Sequence, residues 1–423
     1  MADAHATMVI VGAGLAGAKA AETLRAEGFT GRVILIGAER DQPYERPPLS
    51  KGYLAGTTER AEVFVHDSAW YAAHDVELHL GSPVVGLDRQ ARELRLGGDG
   101  GVIGYDRLLL ATGSAPRQLD IPGTALGGVH YLRRLADSER LRATLQTLGR
   151  ENGTLVVVGA GWIGLEVAAA ARGYGAEVTV VEPQSTPLQA ALGPELGAFF
   201  AELHQDRGVK FHFGATVSEI EGRDGMVLAV HTDDGEEHPA HAVLIGVGAI
   251  PETGLAEQAG LELAPREEGG GIAVDASLRS SDPAIFAAGD VAGAWHPLFE
   301  RRLRVEHWAN ALNGGPAAAR SMLGQEVVYD RVPYFYSDQY DLGMEYSGFA
   351  APGEYERVVL RGDAGKREFL AFWQGSDGRV LAGMNVNVWD VTTPIQALVR
   401  SRLPVDPDRL ADPSVPLEQL LGQ

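Results

Sequence analysis

Two glycine patterns hold the residues best suited to gripping phosphate. Gly12, Gly14 and Gly17 form one Gly-x-Gly-x-x-Gly; Gly159, Gly161 and Gly164 form another. The first glycine of such a pattern permits a tight turn. The second lets a pyrophosphate approach the backbone, and the third lets a helix pack close to a strand. The phosphate then sits at a helix N-terminus, where amides without partners and the helix dipole favour negative charge. An acid roughly 20 residues further on can accept ribose hydroxyls. Glu182 lies 23 residues after Gly159, and Glu39 lies 27 after Gly12, a looser fit. One such pattern alone says little. Two of them, each with its acid, weigh against a pair of glycine-rich turns that bind nothing.

Each pattern needs a strand before it and a helix after it. Thr7–Val11 is a short apolar run read as a buried strand, and an alanine-rich helix follows to about Glu27, stopped by Gly28. Arg32–Ile36 is the next strand, with Glu39 just beyond. The unit recurs as strand Thr154–Val158, helix Leu165–Arg172 and strand Glu177–Val181, ending at Glu182. Asp106–Thr112 and Ala284–Ala288 read as strands ending in Gly113 and in Gly289-Asp290, and would bring further loops to the carboxyl edge of a sheet. Gly81–Leu96 and Phe211–Leu244 have the alternating look of β-hairpins. From about residue 326 the chain is richer in aromatics and short strand-like runs, such as Tyr355–Leu360 and Glu368–Trp373, which suggests a separate α+β domain. The tail from Pro404 reads as loop and a short helix.

Composition narrows the chemistry. The 423 residues contain no cysteine, which excludes disulfides, thiolate metal sites, Cys-ligated clusters and a Cys nucleophile. Redox chemistry would therefore ride on a bound cofactor. The net charge of −21 and the lack of a basic stripe argue against nucleic acid. His238 and His241 lie close together in a polar, turn-like stretch that makes a poor metal site. No apolar run has the length of a membrane span, and the opening MADAHATMVI lacks the pattern of a secretory signal, so the expectation is a cytoplasmic protein.

Several motifs sharpen this. Arg46-Pro47-Pro48-Leu49-Ser50-Lys51, Ala111-Thr112-Gly113, Gly289-Asp290, Glu306-His307-Trp308-Ala309-Asn310 and Tyr336-Ser337-Asp338-Gln339-Tyr340 occur in order along the chain. With them, nearly the whole sequence resembles the NADH-dependent, FAD-containing ferredoxin reductases that serve cytochrome P450 and Rieske oxygenase systems. That family includes putidaredoxin and rubredoxin reductases and shares the glutathione-reductase-like fold. The resemblance implies an α/β protein with two Rossmann-like dinucleotide-binding domains, the second inserted in the first, plus a C-terminal α+β domain. The FAD domain would comprise residues 1–114 and 243–325, the NAD domain 115–242 and the C-terminal interface domain 326–423.

The resemblance also implies site residues. FAD would be held by Gly12, Gly14, Ala16, Gly17 and Glu39, by Arg46, Lys51, Val84 and Arg133, and by Ala111, Thr112, Gly113, Gly289, Asp290 and Trp308. NADH would be held by Gly159, Gly161, Ile163, Gly164, Glu182 and Gly248. Without the family, Asp290 reads equally as a helix N-cap and Trp308 as a core aromatic. Tyr336 stands where many relatives have Trp, which keeps an aromatic for packing.

Lys51 and Glu166 would form an ion pair beside flavin N5, where the lysine charge stabilises an electron-rich reduced ring. From spacing alone they read as surface residues. NADH is expected over NADPH, because Glu182 repels a 2′-phosphate and residues 183–190 contain no Lys or Arg. Electrons would leave singly to an acidic iron–sulfur ferredoxin, and so reach a P450 or Rieske oxygenase. The alternatives are a reductase of a small acceptor such as quinone or dioxygen, and a slow redox-sensing flavoprotein. The basic run Arg301-Arg302-Leu303-Arg304 is a candidate docking rim, or else a network paired with acids such as Glu300 and Glu306.

Overall fold

The computed structural model describes residues 5–421; the opening residues on which the leader reading rests lie partly outside them. The chain divides into two compact units. The first takes in residues up to Glu45, Arg60–Ala115 and Ile250–Pro333, and the second Arg46–Glu59, Pro116–Ala249 and the chain from Tyr334 onward.

The first unit is built on a five-stranded parallel sheet in the order Ile285–Ala287, Arg107–Leu110, Thr7–Val11, Arg32–Ile36, Val76–His79. Its central strands are apolar at nearly every position because both faces are covered. The chain leaves Thr7–Val11 toward one side and returns on the other, so the end of this strand is a switch point where α/β sheets bind ligands. The helix Leu15–Ala26 follows directly, and Trp308–Met322 packs against it. That contact depends on Gly315, whose Cβ would lie 2.2 Å from the Ala16 carbonyl oxygen. A three-stranded meander, Val84–Asp88, Glu93–Leu96 and Val102–Gly104, extends the hairpin expected there.

The second unit repeats the plan with the order Val209–Phe213, Glu177–Glu182, Thr154–Val158, Ala242–Ile245, Val129–His130, all parallel. The helix Trp162–Tyr174 starts three residues before the expected Leu165. The hairpin expectation for 211–244 needs correcting at both ends. Val209–Phe213 and Ala242–Ile245 are parallel strands of the main sheet, and only Val217–Arg223, Met226–Thr232 and Glu237–Pro239 form an antiparallel meander. The physical reason is burial: Ala242–Ile245 is covered on both faces, as a half-exposed hairpin strand is not.

The same unit carries a five-stranded antiparallel sheet, ordered Tyr334–Gln339, Leu342–Gly348, Val380–Val386, Glu368–Gln374, Arg357–Asp363. It shares one apolar core with the second parallel sheet and its helices. Trp162 sits edge-on to Phe335 at 5.0 Å between ring centres. Trp373 is fully buried in that core, and its indole N–H donates to the Leu192 carbonyl at 3.1 Å. Replacing Trp373 with Ala should therefore lower stability by about 3–5 kcal/mol, from the cavity and the stranded carbonyl. Urea unfolding followed by circular dichroism checks this; an unchanged midpoint would mean that the two layers do not share a core.

Candidate active site

The first glycine loop closes onto its neighbouring strand. Gly12 has φ +117°, and a Cβ there would sit 2.0 Å from the Ala111 carbonyl oxygen. Gly17 is as tight, with a Cβ position 2.0 Å from the Gly12 oxygen. Gly14 differs, because a Cβ on it would meet nothing within 4 Å. It is also the N-cap of the Leu15–Ala26 helix, with no side chain capping that end. The loop is thus compressed against protein on one side and open at the helix start, which is the shape a pyrophosphate needs.

The second loop reproduces each feature. Gly159 has φ +96° and a Cβ position 2.6 Å from the Gly246 oxygen, and Gly164 would clash at 2.2 Å with the Gly159 oxygen. Gly161 is open and uncapped. Glu182 ends its strand, accepting from the amides of Ala160 at 2.7 Å and Gln184 at 3.0 Å. The acid therefore braces the loop, and its remaining lone pairs can take ribose hydroxyls. Ile163 is an exposed apolar residue on the first turn of the helix. Gly248 has φ +101° with open space above it, and its carbonyl accepts from the Arg117 amide at 2.9 Å.

Other expected residues of the first unit gather around its sheet edge. Ala111, Thr112 and Gly113 follow Arg107–Leu110, and the Thr112 hydroxyl donates to the Glu252 carbonyl at 2.8 Å. Asp290 lies in the one-turn helix Gly289–Val291 and accepts from the Ser114 hydroxyl at 2.8 Å. The Trp308 indole donates to Glu45 at 3.2 Å. The Tyr44 hydroxyl donates to Glu39 at 2.6 Å. Val84 begins the meander, half-buried and paired with Leu96.

Arg46, Lys51, Arg133 and Glu166 belong to the second unit instead. Two prolines set the tight turn Pro47–Ser50 that presents Lys51. The segment is pinned in place by the Ser138 hydroxyl, which donates to the Leu49 carbonyl at 2.8 Å, and by Tyr174, which donates to the Leu54 carbonyl at 2.9 Å. The Arg46 guanidinium donates to the Arg133 carbonyl. Lys51 Nζ lies 2.8 Å from Glu166 Oε1, with the two side chains only 14% and 3% exposed. Neither is a surface residue. Glu166 also accepts from the hydroxyls of Ser50 and Ser337, and the Tyr336 ring lies 5.3 Å from Lys51 Nζ. Burial raises the Asp338 carboxyl above its ordinary range, against the opposing pull of the Lys51 charge.

Arg301–Arg304 is a strand paired antiparallel with Ala292–His296. Arg302 donates to the carbonyls of Val274 at 2.7 Å and Gly293 at 3.1 Å, and Arg304 to Gly269 and Glu306. Arg304 thus meets Glu306, one of the acids expected as a partner, while Arg302 bonds to backbone carbonyls. Among the described residues no group of three or more His, Cys, Asp or Glu could hold a metal ion, and no helix is long and apolar enough to cross a membrane.

His204 was not singled out in the sequence. It occupies the apolar face of helix Pro194–Gln205, beside Leu196, Phe200 and Leu203, where a histidine reads as core. Burial pushes its pKa from 6.5 down to about 4, opposed by its bond to Gln339. It stays neutral in the fold, while the unfolded chain takes up a proton below about pH 6.5. Its contribution is thus fully present above pH 6.5 and is lost as pH falls toward 4. Relative to the parent, His204→Gln should become more stable at pH 4 than at pH 7.5 by up to about 3 kcal/mol. Urea midpoints at the two pH values measure this, and equal differences at both would contradict a neutral buried His204.

Comparison with known proteins adds to this geometry. Residues 6–315 match the pyridine nucleotide-disulphide oxidoreductase family, and residues 334–421 match the reductase C-terminal family. The chain is 41% identical over 413 residues to the ferredoxin–NAD(+) reductase component of an anthranilate 1,2-dioxygenase system from Burkholderia cepacia, covering 98% of each chain. It is 36% identical over 425 residues to putidaredoxin reductase from Pseudomonas putida, covering 99% of this chain and 98% of that one. The crystal structure of a covalent putidaredoxin reductase–putidaredoxin complex matches with a TM-score of 0.92 at 35% identity, over 99% of each chain.

Proposed function

The chain belongs to the pyridine nucleotide-disulphide oxidoreductase family, and from that membership we propose that it takes hydride from NADH onto FAD and passes single electrons to a ferredoxin. The ferredoxin would be an iron–sulfur protein feeding a cytochrome P450 or a Rieske-type oxygenase. The family's name includes disulfide reductases, but a chain without cysteine cannot run their thiol step. The observation that carries the reading is the pair of glycine loops, each compressed behind and open at a helix N-terminus.

When bound, FAD supplies the two-electron to one-electron conversion. The protein's own residues bind and orient. Gly12, Gly14 and Gly17 would seat the FAD pyrophosphate, with Glu39 toward the ribose and Asp290 toward the ribityl chain. Gly159, Gly161 and Gly164 would seat NADH, with Ile163 and Gly248 lining its path. Glu182 disfavours the 2′-phosphate of NADPH by charge. Lys51 would supply positive charge for the reduced ring, and Glu166 holds Lys51.

The domain division follows from the same reading. An FAD domain would be interrupted by an NAD domain, and the C-terminal domain, expected from 326, is best begun at Tyr334, because residues to Pro333 belong to the first unit. The return to the FAD domain is best placed near Ile250, since Ala242–Ile245 pairs with Thr154–Val158. We place the chain in the cytoplasm, where NADH is regenerated.

Steady-state cytochrome c reduction tests the proposal. The purified protein should carry about one FAD per chain, and NADH-driven reduction should be fast only when an iron–sulfur ferredoxin is added. Fast turnover with a quinone alone would favour a small-acceptor reductase. A colourless protein that takes up no FAD would overturn the reading.

A further inference from the structure

Glu166 does not stop at Lys51. Its Oε1 accepts from the Ser337 hydroxyl at 2.7 Å. Ser337 Oγ in turn accepts from the Gln339 side-chain amide at 3.1 Å. Gln339 Oε1 lies 2.8 Å from His204 Nε2, and His204 Nδ1 lies 3.0 Å from the Tyr340 hydroxyl. Ser337, Gln339 and His204 are all essentially excluded from solvent.

We propose that Gln339, His204 and Tyr340 are positioning residues for the Lys51–Glu166 pair, forming a hydrogen-bond chain whose donors all point toward the Glu166 carboxylate.

The direction follows from counting protons. An ionised carboxylate only accepts, so Ser337 must spend its single hydroxyl proton on Glu166. Its oxygen is then left to accept, and the Gln339 group facing it must be the NH₂. The Gln339 oxygen therefore faces His204, which must donate from Nε2. A neutral imidazole has one N–H, so Nδ1 accepts from the Tyr340 hydroxyl. The opposite amide orientation would set the Gln339 oxygen and the carboxylate in competition for one serine proton, leaving a buried acceptor without a donor. Neutrality of the imidazole is consistent with its depressed pKa. Below that pKa both ring nitrogens donate, and the Tyr340 hydroxyl would have to reverse.

The chain thus extends the charge of Glu166 through four side chains to the end of the strand Tyr334–Gln339. An amide cannot readily pass a proton on, so the chain orients rather than conducts. Its effect on hydride transfer is exerted through Ser337, which holds Glu166 and hence the Lys51 ammonium. That effect rests on the proposed function; the bond directions do not.

Two measurements test it on the full-length, FAD-loaded protein. Nitrogen-15 NMR of labelled histidine, with His204 assigned by loss of its signals in His204→Gln, should show the Nε2–H tautomer at neutral pH. An Nδ1–H tautomer would overturn the chain, whatever the electron acceptor proves to be. In stopped-flow mixing with NADH, Gln339→Leu and His204→Leu should slow flavin reduction about five- to tenfold without changing NADH affinity, the scale of one hydrogen bond worth ~1–1.4 kcal/mol. His204→Gln, which keeps a donor near the Nε2 position, should recover most of the rate. Unchanged rates in both Leu variants, or no recovery in His204→Gln, would assign these residues a structural role only. If the Leu variants fail to fold, the tautomer of the parent protein still decides.

Discussion

A carboxylate buried beside a lysine is costly to desolvate, and the fold around Glu166 is arranged to offset that cost. The pair lies 2.8 Å apart with the carboxylate almost sealed from solvent. Attraction alone rarely compensates two buried charges, so the remaining lone pairs must be satisfied. Ser50 and Ser337 do so from opposite ends of the sequence. The Arg46–Glu59 segment leaves the first unit to bring Ser50 and Lys51 here, and the C-terminal sheet brings Ser337. The helix carrying Glu166 begins at the second glycine loop, so one element supports both that loop and the charged pair. The C-terminal sheet and the second parallel sheet also share one apolar core.

The glycine loops obey a different constraint, which is clearance. At Gly12 and Gly159 the neighbouring backbone is too close for any side chain, and the left-handed φ suits glycine alone. At Gly14 and Gly161 there is room, so the neighbouring protein does not by itself demand glycine there. Gly315 shows the same economy without a ligand, letting one helix rest on the backbone of another. The acid of the second loop has a structural duty as well, since Glu182 closes the turn through the Ala160 amide. A substitution at Glu182 would therefore disturb loop shape as well as the coenzyme discrimination proposed for it.

Much of the scaffold was legible in the sequence because strands buried on both faces leave continuous apolar runs. Thr7–Val11, Arg32–Ile36 and Thr154–Val158 have the bounds expected of them. Alternation misled at Val209–Phe213, where Lys210 and His212 interrupt the apolar residues as in a hairpin strand, and the four apolar residues of Ala242–Ile245 do not say whether their partner lies next in sequence or across a sheet. The Lys51–Glu166 pair could be expected only from resemblance, since 115 positions separate the residues and nothing local marks either as buried. His204 was hidden for the converse reason: its helix face is apolar, and the polar partners come from a distant strand. Arg302 and Arg304 read as part of a charge run because the backbone carbonyls that both engage leave no trace in residue types.

Glu166 is proposed to act on hydride transfer through Lys51. A double-mutant cycle on the rate of flavin reduction by NADH tests it most directly, using Lys51→Met, Glu166→Gln and the two combined. Each single change should slow reduction at least about tenfold with FAD retained, and the double variant should be no slower than Lys51→Met alone. Independent effects that multiply in the double variant, or a Lys51→Met protein as fast as the parent, would contradict it.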